Sequence, residues 1–583
     1  MKSNLLGYDR VDKAPVRIPV KAFQTHFHLI GGTGKGKTTA IHTMLHPLLM
    51  DPFDHSCFVI VDRMGNLSNE LLLWMSSQYC SEAVRKRLIY IEPAREDVVL
   101  GFNPLRCSND QEGFYKVQRA TEIILRAWES VNIEAMPRLA RWTFNAFWAA
   151  AKLGLTIADC VHFLMPGSPH HARLLECLPE RMKCEWSELI DARSSEVVRI
   201  LESTRNRLKP YFESDILRRM FGSTESHFDA LKFMREGRIV LLNLAPQNRL
   251  STQLADAIGA LVLNEILATA RSLPLGVRYP TYLLLDEFQN FVGPDIEAAL
   301  PEVRQLGLRL ILSHQSFSQL KRGDYDLTSM IFQAQSRMIF GVQGEDADVL
   351  AHELASISYD PKRIKEERYV RRQRIVGHEI IKLSSWSEAQ SEAEGWNKTF
   401  GHQWSANQGV SHGLARDTKS EGKSRGDSET RGESRNRTQG RTYGESEHVR
   451  PVHEDYDELS ARVYYSFDEQ RSLWASGVRN LRTGTCLMRL VDDDKLREVD
   501  VKRSAPGHLA WDWETIVNHY PKAIEDRDRL LEENFRFGPF VAPDDIDREA
   551  QLRIESVVRP RPALQSPSFD KLSSTGPPPD PFA

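Results

Sequence analysis

The stretch Ile30-Gly31-Gly32-Thr33-Gly34-Lys35-Gly36-Lys37-Thr38-Thr39 reads G-x-x-x-x-G-K-T and decides the fold. Before it, Phe27-His28-Leu29-Ile30 predicts a buried parallel strand. After it, Ala40–Leu45 has the spacing of a helix. Strand, glycine loop and helix in that order form the setting that a phosphate-binding loop requires. Gly31, Gly34 and Gly36 let the backbone turn tightly and aim N–H groups at phosphate oxygens. The helix adds the positive end of its dipole. The residues expected to touch the nucleotide are therefore Gly31, Gly32, Thr33, Gly34, Lys35, Gly36, Lys37, Thr38 and Thr39. Lys37 is expected on the β- and γ-phosphates of ATP, and the Thr38 hydroxyl on Mg2+.

At 583 residues the chain is too long for one core, so two to four units are expected. Hydrophobic content of 41% and charged content of 27% suit a globular protein. A net charge of −4 excludes a whole-molecule basic field, so any nucleic-acid site must be a local surface. Seven scattered cysteines without a C-x-x-C pair exclude a disulfide framework and a zinc site. They fit a reducing cytoplasm, the expected location. Met1–Pro19 lacks the apolar core of a signal peptide. No run of about 18 apolar residues predicts a membrane-spanning helix. Ile258–Ala270, broken by Asn264 and Glu265, reads as a packed helix.

The chain alternates as an α/β protein. Strands are expected at Val16–Val20, Phe27–Ile30, Cys57–Asp62 and Leu88–Ile91, with the helix after the glycine loop ending at Pro47. Residues 1–110 form the first part of this core. Residues 111–234 show helical spacing throughout and read as an all-helical insertion. In it, Trp142, Phe144, Phe147 and Trp148 are expected to pack as core rather than stack on bases. The core resumes over 235–385, with strands at Arg238–Leu244, Tyr282–Glu287 and Leu308–Ser313. Residues 386–450 are rich in Ser, Gly, Arg, Glu and Gln, cannot bury a core alone, and are expected to be disordered or extended. Residues 451–510 return to the core. Residues 511–583 hold a charged helical stretch interrupted at Pro521, then a Pro-rich tail.

The apolar run ending in Asp286-Glu287 supplies the second motif. Asp286 is placed to hold Mg2+, and Glu287 to polarise the water that attacks the γ-phosphate. Gln315 follows a buried strand directly and is expected to report nucleotide state. Arg304, Arg309 and Arg337 are candidates for a charge supplied across a subunit boundary, with Arg337 favoured.

The order of these features resembles the HerA/FtsK superfamily of P-loop ATPases, and within it the TraG/TraD-like coupling proteins of type IV secretion. The resemblance rests on His26-x-x-x-Ile30 with the glycine loop, the strand ending Asp62-Arg-Met-Gly65-Asn66, and Gly101-Phe-Asn-Pro-Leu105. After the helical insertion it continues in Leu-Leu-Asp286-Glu287-Phe and Leu-Ser-His-Gln315, covering roughly 15–355 and 455–505. It implies a RecA-like core with a mainly parallel sheet and an all-helical second domain. It implies a homo-hexamer with ATP at subunit interfaces, DNA in a central channel, and relaxase or secretion-channel proteins as partners. The expected function is an ATP-driven, DNA-stimulated translocase. The alternatives are a soluble HerA-like ATPase for DNA-end processing or defence, and a receptor for protein substrates. Two features depart from the branch. Its members usually begin with membrane-spanning helices and none is predicted here, which puts membrane docking in doubt or assigns recruitment to the inner membrane to partners. The loop at Asp62 usually reads Asp-Pro-Lys-Gly, and here Arg63 and Met64 stand in its middle positions.

No recognition helix, zinc finger or RNA-binding sheet signature is present, so DNA contact is expected to be backbone-directed and sequence-tolerant. Lys362–Arg374, dense in Lys and Arg, is either such a contact or a solvated hairpin.

Overall fold

The apolar runs assemble into one eleven-stranded sheet, in the order β2 (Pro15–Pro19), β1 (Ser3–Asp9), β17 (Arg497–Val501), β16 (Thr485–Arg489), β11 (Ser336–Ile339), β3 (Phe27–Ile30), β8 (Leu308–His314), β7 (Thr281–Asp286), β4 (Cys57–Asp62), β6 (Ile239–Asn243), β5 (Leu88–Ile91). The structure is a computed structural model. It describes residues 3–558 except 52, 128–135, 191–193, 247–248, 275, 292–301, 323–324, 392–396, 414–417, 433–437, 492, 494 and 505–512. The chain forms two units, Met1–Leu354 with Leu473–Ala583, and Ala355–Ser472.

In the first unit the parallel strands are β3 (Phe27–Ile30), β4 (Cys57–Asp62), β5 (Leu88–Ile91), β6 (Ile239–Asn243), β7 (Thr281–Asp286), β8 (Leu308–His314) and β11 (Ser336–Ile339). Strands β3 to β6 are buried at every position. That is why they read as unbroken apolar runs: helices cover both faces of a parallel sheet. Four antiparallel strands extend it beyond β11: β16 (Thr485–Arg489), β17 (Arg497–Val501), β1 (Ser3–Asp9) and β2 (Pro15–Pro19). A two-residue hairpin, β9 (Lys321–Arg322) with β10 (Tyr325–Asp326), stands outside the sheet.

Helices α1 (Lys37–Leu49), α2 (Asn66–Ser76) and α3 (Glu82–Arg85) belong to the sheet region. Helix α1 passes through Pro47, where the sequence predicts its end. The proline sits in the last turn, so it removes a single helical N–H, and Met50 N–H closes the turn on His46 O at 3.0 Å. The helical insertion comprises α4 (Asp110–Arg126), α5 (Pro137–Lys152), α6 (Val161–Leu164), α7 (His171–Glu176), α8 (Glu180–Ile190), α9 (Ser194–Glu213), α10 (Asp215–Met220) and α11 (Ala230–Glu236). Its aromatics pack as core. Trp142 lies 5.2 Å from Trp186, and Phe114 meets Phe144 and Trp148 edge-on. Helix α12 (Thr252–Ser272) is long and apolar enough to cross a membrane, but its apolar face is buried in the chain's own core.

The C-terminal segment straps the unit together. Pro521 starts a new helix, Pro521–Phe537, after the shorter Trp513–His519. Asn534 closes the open edge of the sheet. Its Oδ1 accepts from Tyr90 N–H at 3.1 Å and its Nδ2 donates to Tyr90 O at 3.4 Å. Val541 then pairs with Val99 through two backbone bonds. The last described helix, Pro543–Val558, docks on the helical insertion. Arg219 reaches Asp547 at 2.8 Å, and buried Arg553 reaches buried Asp159 at 2.9 and 3.2 Å. The Pro-rich tail lies outside the described residues.

The second unit is a four-stranded antiparallel sheet, β14 (Thr418–Gly432), β13 (Asn397–Gly413), β12 (Ile364–Ser391), β15 (Thr438–Tyr464), in that order. For residues 386–450, expected to be disordered or extended, the described parts are extended and paired. Composition gives no core here, and the ladder forms instead from backbone hydrogen bonds along β12 and β15. Cross-strand ion pairs line it. Arg371 faces Asp455 at 3.4 Å, Arg372 faces Glu458 at 2.7 Å and Arg374 faces Glu454 at 2.9 Å. The basic run is therefore matched by acids on the neighbouring strand. The structure favours the solvated-hairpin reading of Lys362–Arg374 over a DNA-binding patch.

Candidate nucleotide site

The C-terminal ends of β3, β8, β7 and β4 lie side by side, the edge at which open α/β sheets bind ligands. β3 delivers the glycine loop. Gly34 and Gly36 have φ of +71° and +107°, which side chains with a Cβ rarely adopt. A Cβ on Gly36 would also come within 3.1 Å of the Gly484 backbone, so the turn before β16 backs the loop. Lys37 folds over its own loop and donates to Gly31 O and, at 3.4 Å, to Gly32 O. Its ammonium thus lies in the cradle, where a phosphate would replace those carbonyls. Burial lowers its pKa, opposed by the charges of Asp286 and Glu287.

β8 lies between β3 and β7, so the residue after β8 stands between the glycine loop and the acidic pair. That residue is Gln315. Thr33 Oγ1 donates to its Oε1 at 2.8 Å, and its Nε2 donates to Glu287 Oε1 at 2.5 Å. The sensor candidate therefore touches both halves of the site. Glu287 itself has φ +54°, a left-handed conformation that costs a non-glycine residue on the order of 1 kcal/mol.

Asp286 is half-buried, and its pKa is pushed up to about 6, first by desolvation and then by the nearby charge of Asp62. Such a carboxylate suits a divalent cation, which would favour its ionised form. Among the described residues no cluster of three or more His, Cys, Asp or Glu could hold a metal. One carboxylate and the Thr38 hydroxyl, completed by phosphate oxygens, are the donors Mg2+ commonly takes. The residues fit Mg2+ with a nucleotide.

Asp62 plays a different part. Fully buried at the end of β4, it accepts from Met64, Gly65 and Ser68 N–H at 3.0, 2.9 and 2.7 Å, and so shapes the loop into α2. Burial nonetheless raises its pKa. The loop it shapes presents Arg63. Arg63 binds Asp256 of α12 with Nε and Nη2, at 2.7 and 3.1 Å, and approaches Glu287 Oε2 with Nη1 at 3.4 Å. Burial alone would lower the Arg63 pKa; the Asp256 and Glu287 carboxylates more than offset this and raise it. Sequence reading noticed this position only as a departure from Asp-Pro-Lys-Gly.

A second pair was also missed. His28 on β3 and His314 on β8 meet Nε2 to Nε2 at 2.7 Å, fully buried. His314 Nδ1 lies 3.1 Å from Ser316 O, which only accepts, so Nδ1 carries the proton. His28 Nε2–H therefore donates to His314 Nε2. Burial holds His314 down at about 3 and His28 well below its ordinary value, so both are neutral. The pair ties β3 to β8 directly beneath Gly31 and Gln315. Its signal in the sequence was a histidine near each strand end.

Arg337, the favoured candidate for a charge supplied across a subunit boundary, is engaged within its own chain. It is buried on β11, pairs with Glu353, donates to Ile331 O at 3.1 Å and stacks over Phe332. Arg309 lies over the Tyr282 ring and donates to its hydroxyl, at the end of β7 and β8 away from the glycine loop. Arg304 is exposed.

A glycine loop, a separate strand carrying the acidic pair, and a sensor strand between them define a P-loop nucleoside triphosphatase of the RecA-like class. Two family models match the chain. Residues 10–78 match the type IV secretion-system coupling protein DNA-binding domain, and residues 280–385 match the TraM recognition site of TraD and TraG. Both matched models describe parts of type IV secretion coupling proteins of the TraG/TraD kind. No curated protein matches it. Solved structures similar to it include the bacterial conjugative coupling protein TrwBdeltaN70, unbound, at 14% identity over 87% of this chain and 91% of that one, TM-score 0.47. Another is the plasmid coupling protein TrwB with the non-hydrolysable GTP analogue GDPNP, at 14% identity over 87% and 92%, TM-score 0.48.

Proposed function

We propose that the chain is an ATP-driven DNA motor of the coupling-protein kind, working as a homo-hexamer on DNA without sequence preference. The observation that carries it is Gln315, hydrogen-bonded at once to Thr33 of the glycine loop and to Glu287. A group so placed changes partners when a γ-phosphate arrives, and nucleotide state is then transmitted along β8. Lys37 would balance charge on the β- and γ-oxygens, and Thr38 and Asp286 would hold Mg2+. When bound, Mg2+ neutralises charge on those oxygens. Glu287 would take the proton of the attacking water as its oxygen bonds to the γ-phosphorus and the bond to ADP breaks. The match of residues 10–78 to a DNA-binding domain model supports DNA as the track. A second reading, a receptor for protein substrates, draws on the match of 280–385 to a recognition-site model.

The test is ATP hydrolysis by the purified protein with and without DNA at low salt, beside Lys37→Ala and Glu287→Gln. Phosphate contacts weaken steeply as salt rises, so low salt is essential. Stimulation by DNA that both variants lose is expected, with ATP still bound by Glu287→Gln. Hydrolysis indifferent to DNA but raised by a protein partner would favour the receptor. No nucleotide binding at all would overturn the proposal.

A further inference from the structure

We propose that Arg63 is a positioning residue that holds Glu287 and couples the γ-phosphate site to helix α12. This rests on the reading of the site as an ATPase. The geometry forms one continuous chain of bonds, α12 to Asp256, Arg63, Glu287, Gln315 and Thr33. Both Glu287 oxygens are engaged, Oε1 by Gln315 and Oε2 by Arg63. Each oxygen retains a second lone pair, and water gains the more open approach when one of the two donors lets go.

The distances say which. Arg63 is fixed by two bonds to Asp256, at 2.7 and 3.1 Å, and its guanidinium is held whatever Glu287 does. Gln315 is the partner whose other contact, Thr33, belongs to the glycine loop. A γ-phosphate competes for that contact, draws Gln315 away and frees Oε1. Arg63 then retains Oε2 and keeps the carboxylate aimed at the water. The ion-paired side chains are 12–21% exposed, so the interaction is screened less than at an open surface. Asp256 lies in the first turns of α12, so the start of that helix senses whether Glu287 is held by one partner or two.

Two measurements test it. The first compares kcat and KM for ATP in Arg63→Ala, Arg63→Lys, Asp256→Asn and Arg63→Ala/Asp256→Asn. A fall in kcat of about tenfold with KM within about threefold is expected for Arg63→Ala, partial rescue by lysine, and a double variant no worse than Arg63→Ala. The second reads hydrogen exchange in the first turns of α12 with ATPγS or ADP. The wild type should respond to ATPγS and not ADP, and Arg63→Ala should abolish the response. A kcat within twofold of wild type in a folded Arg63→Ala, or an unchanged exchange response in it, overturns the inference. A wild type that binds neither nucleotide instead overturns the ATPase reading, with no α12 response in any variant.

Discussion

Replacing Arg553 by Met should undock the last helix, Pro543–Val558, without touching the nucleotide site. Arg553 and Asp159 are both buried and share two bonds, and Arg553 also donates to Thr224 Oγ1 at 2.9 Å and Glu549 Oε1 at 3.3 Å. Methionine fills the aliphatic stem but leaves the Asp159 charge in the interior. Breaking a buried pair from one side costs about 3–5 kcal/mol. Asp159 keeps two bonds from Thr156, at 2.9 Å to its N–H and 2.8 Å to its hydroxyl, which sets the expected cost near the low end, ~3 kcal/mol. At about 1.4 kcal/mol per tenfold, the open population of the helix should rise about 100-fold. Hydrogen exchange over 543–558 reads that number directly. Arg553→Met/Asp159→Asn removes the stranded charge while an asparagine oxygen still serves Thr156, so most of the protection should return. Protection lowered less than threefold in the single variant, or no recovery in the double, would refute the reasoning.

Stability should fall as the medium is acidified from pH 6.5 to 5. His46 and His314 are both held at about 3 by burial, so the unfolded chain takes up protons that the fold refuses, and stability is lost as pH drops below about 6.5. Two such groups remove about 3 kcal/mol over that interval, and Asp286, protonated earlier in the fold at about 6, returns ~1 kcal/mol. A urea midpoint for the nucleotide-free protein that does not drop at pH 5 would contradict this. In the second unit, changing Arg371, Arg372 and Arg374 to Ala together should leave DNA affinity within about twofold and its salt dependence unchanged. A salt slope reduced by about two or three would show that these arginines meet phosphates despite their acidic neighbours.

Local features were legible in the sequence because their causes are local. The glycine loop needs glycines at Gly34 and Gly36 for their left-handed backbone, and a buried strand needs an unbroken apolar run such as Cys57–Val61. Pro521 marked an interruption for the same reason, and a new helix starts there because its ring suits the first turn. For residues 386–450 the sequence left disordered and extended both open, because composition reports whether a segment can bury a core. It is silent on whether two long strands pair edge to edge, as β12 and β15 do.

What the sequence withheld is which strands become neighbours, and the site turns on that. β8 comes after β7 in the chain yet lies between β7 and β3 in the sheet, and this alone sets Gln315 between Thr33 and Glu287. The same order sets β3 against β8, so two histidines 286 residues apart share one proton-donating bond beneath the site. Arg337, favoured as the subunit-bridging arginine, is engaged within its own chain: its strand lies between β3 and β16 in the sheet, and its buried guanidinium pairs with Glu353. Arg63 shows the converse. It drew notice as a mismatch to a loop pattern, and three-dimensional order turns that mismatch into the contact that joins Glu287 to α12. Where a motif is recognised by spacing, the residue that breaks its pattern is therefore worth placing in space first, because a new donor in a fixed loop has a fixed set of acceptors.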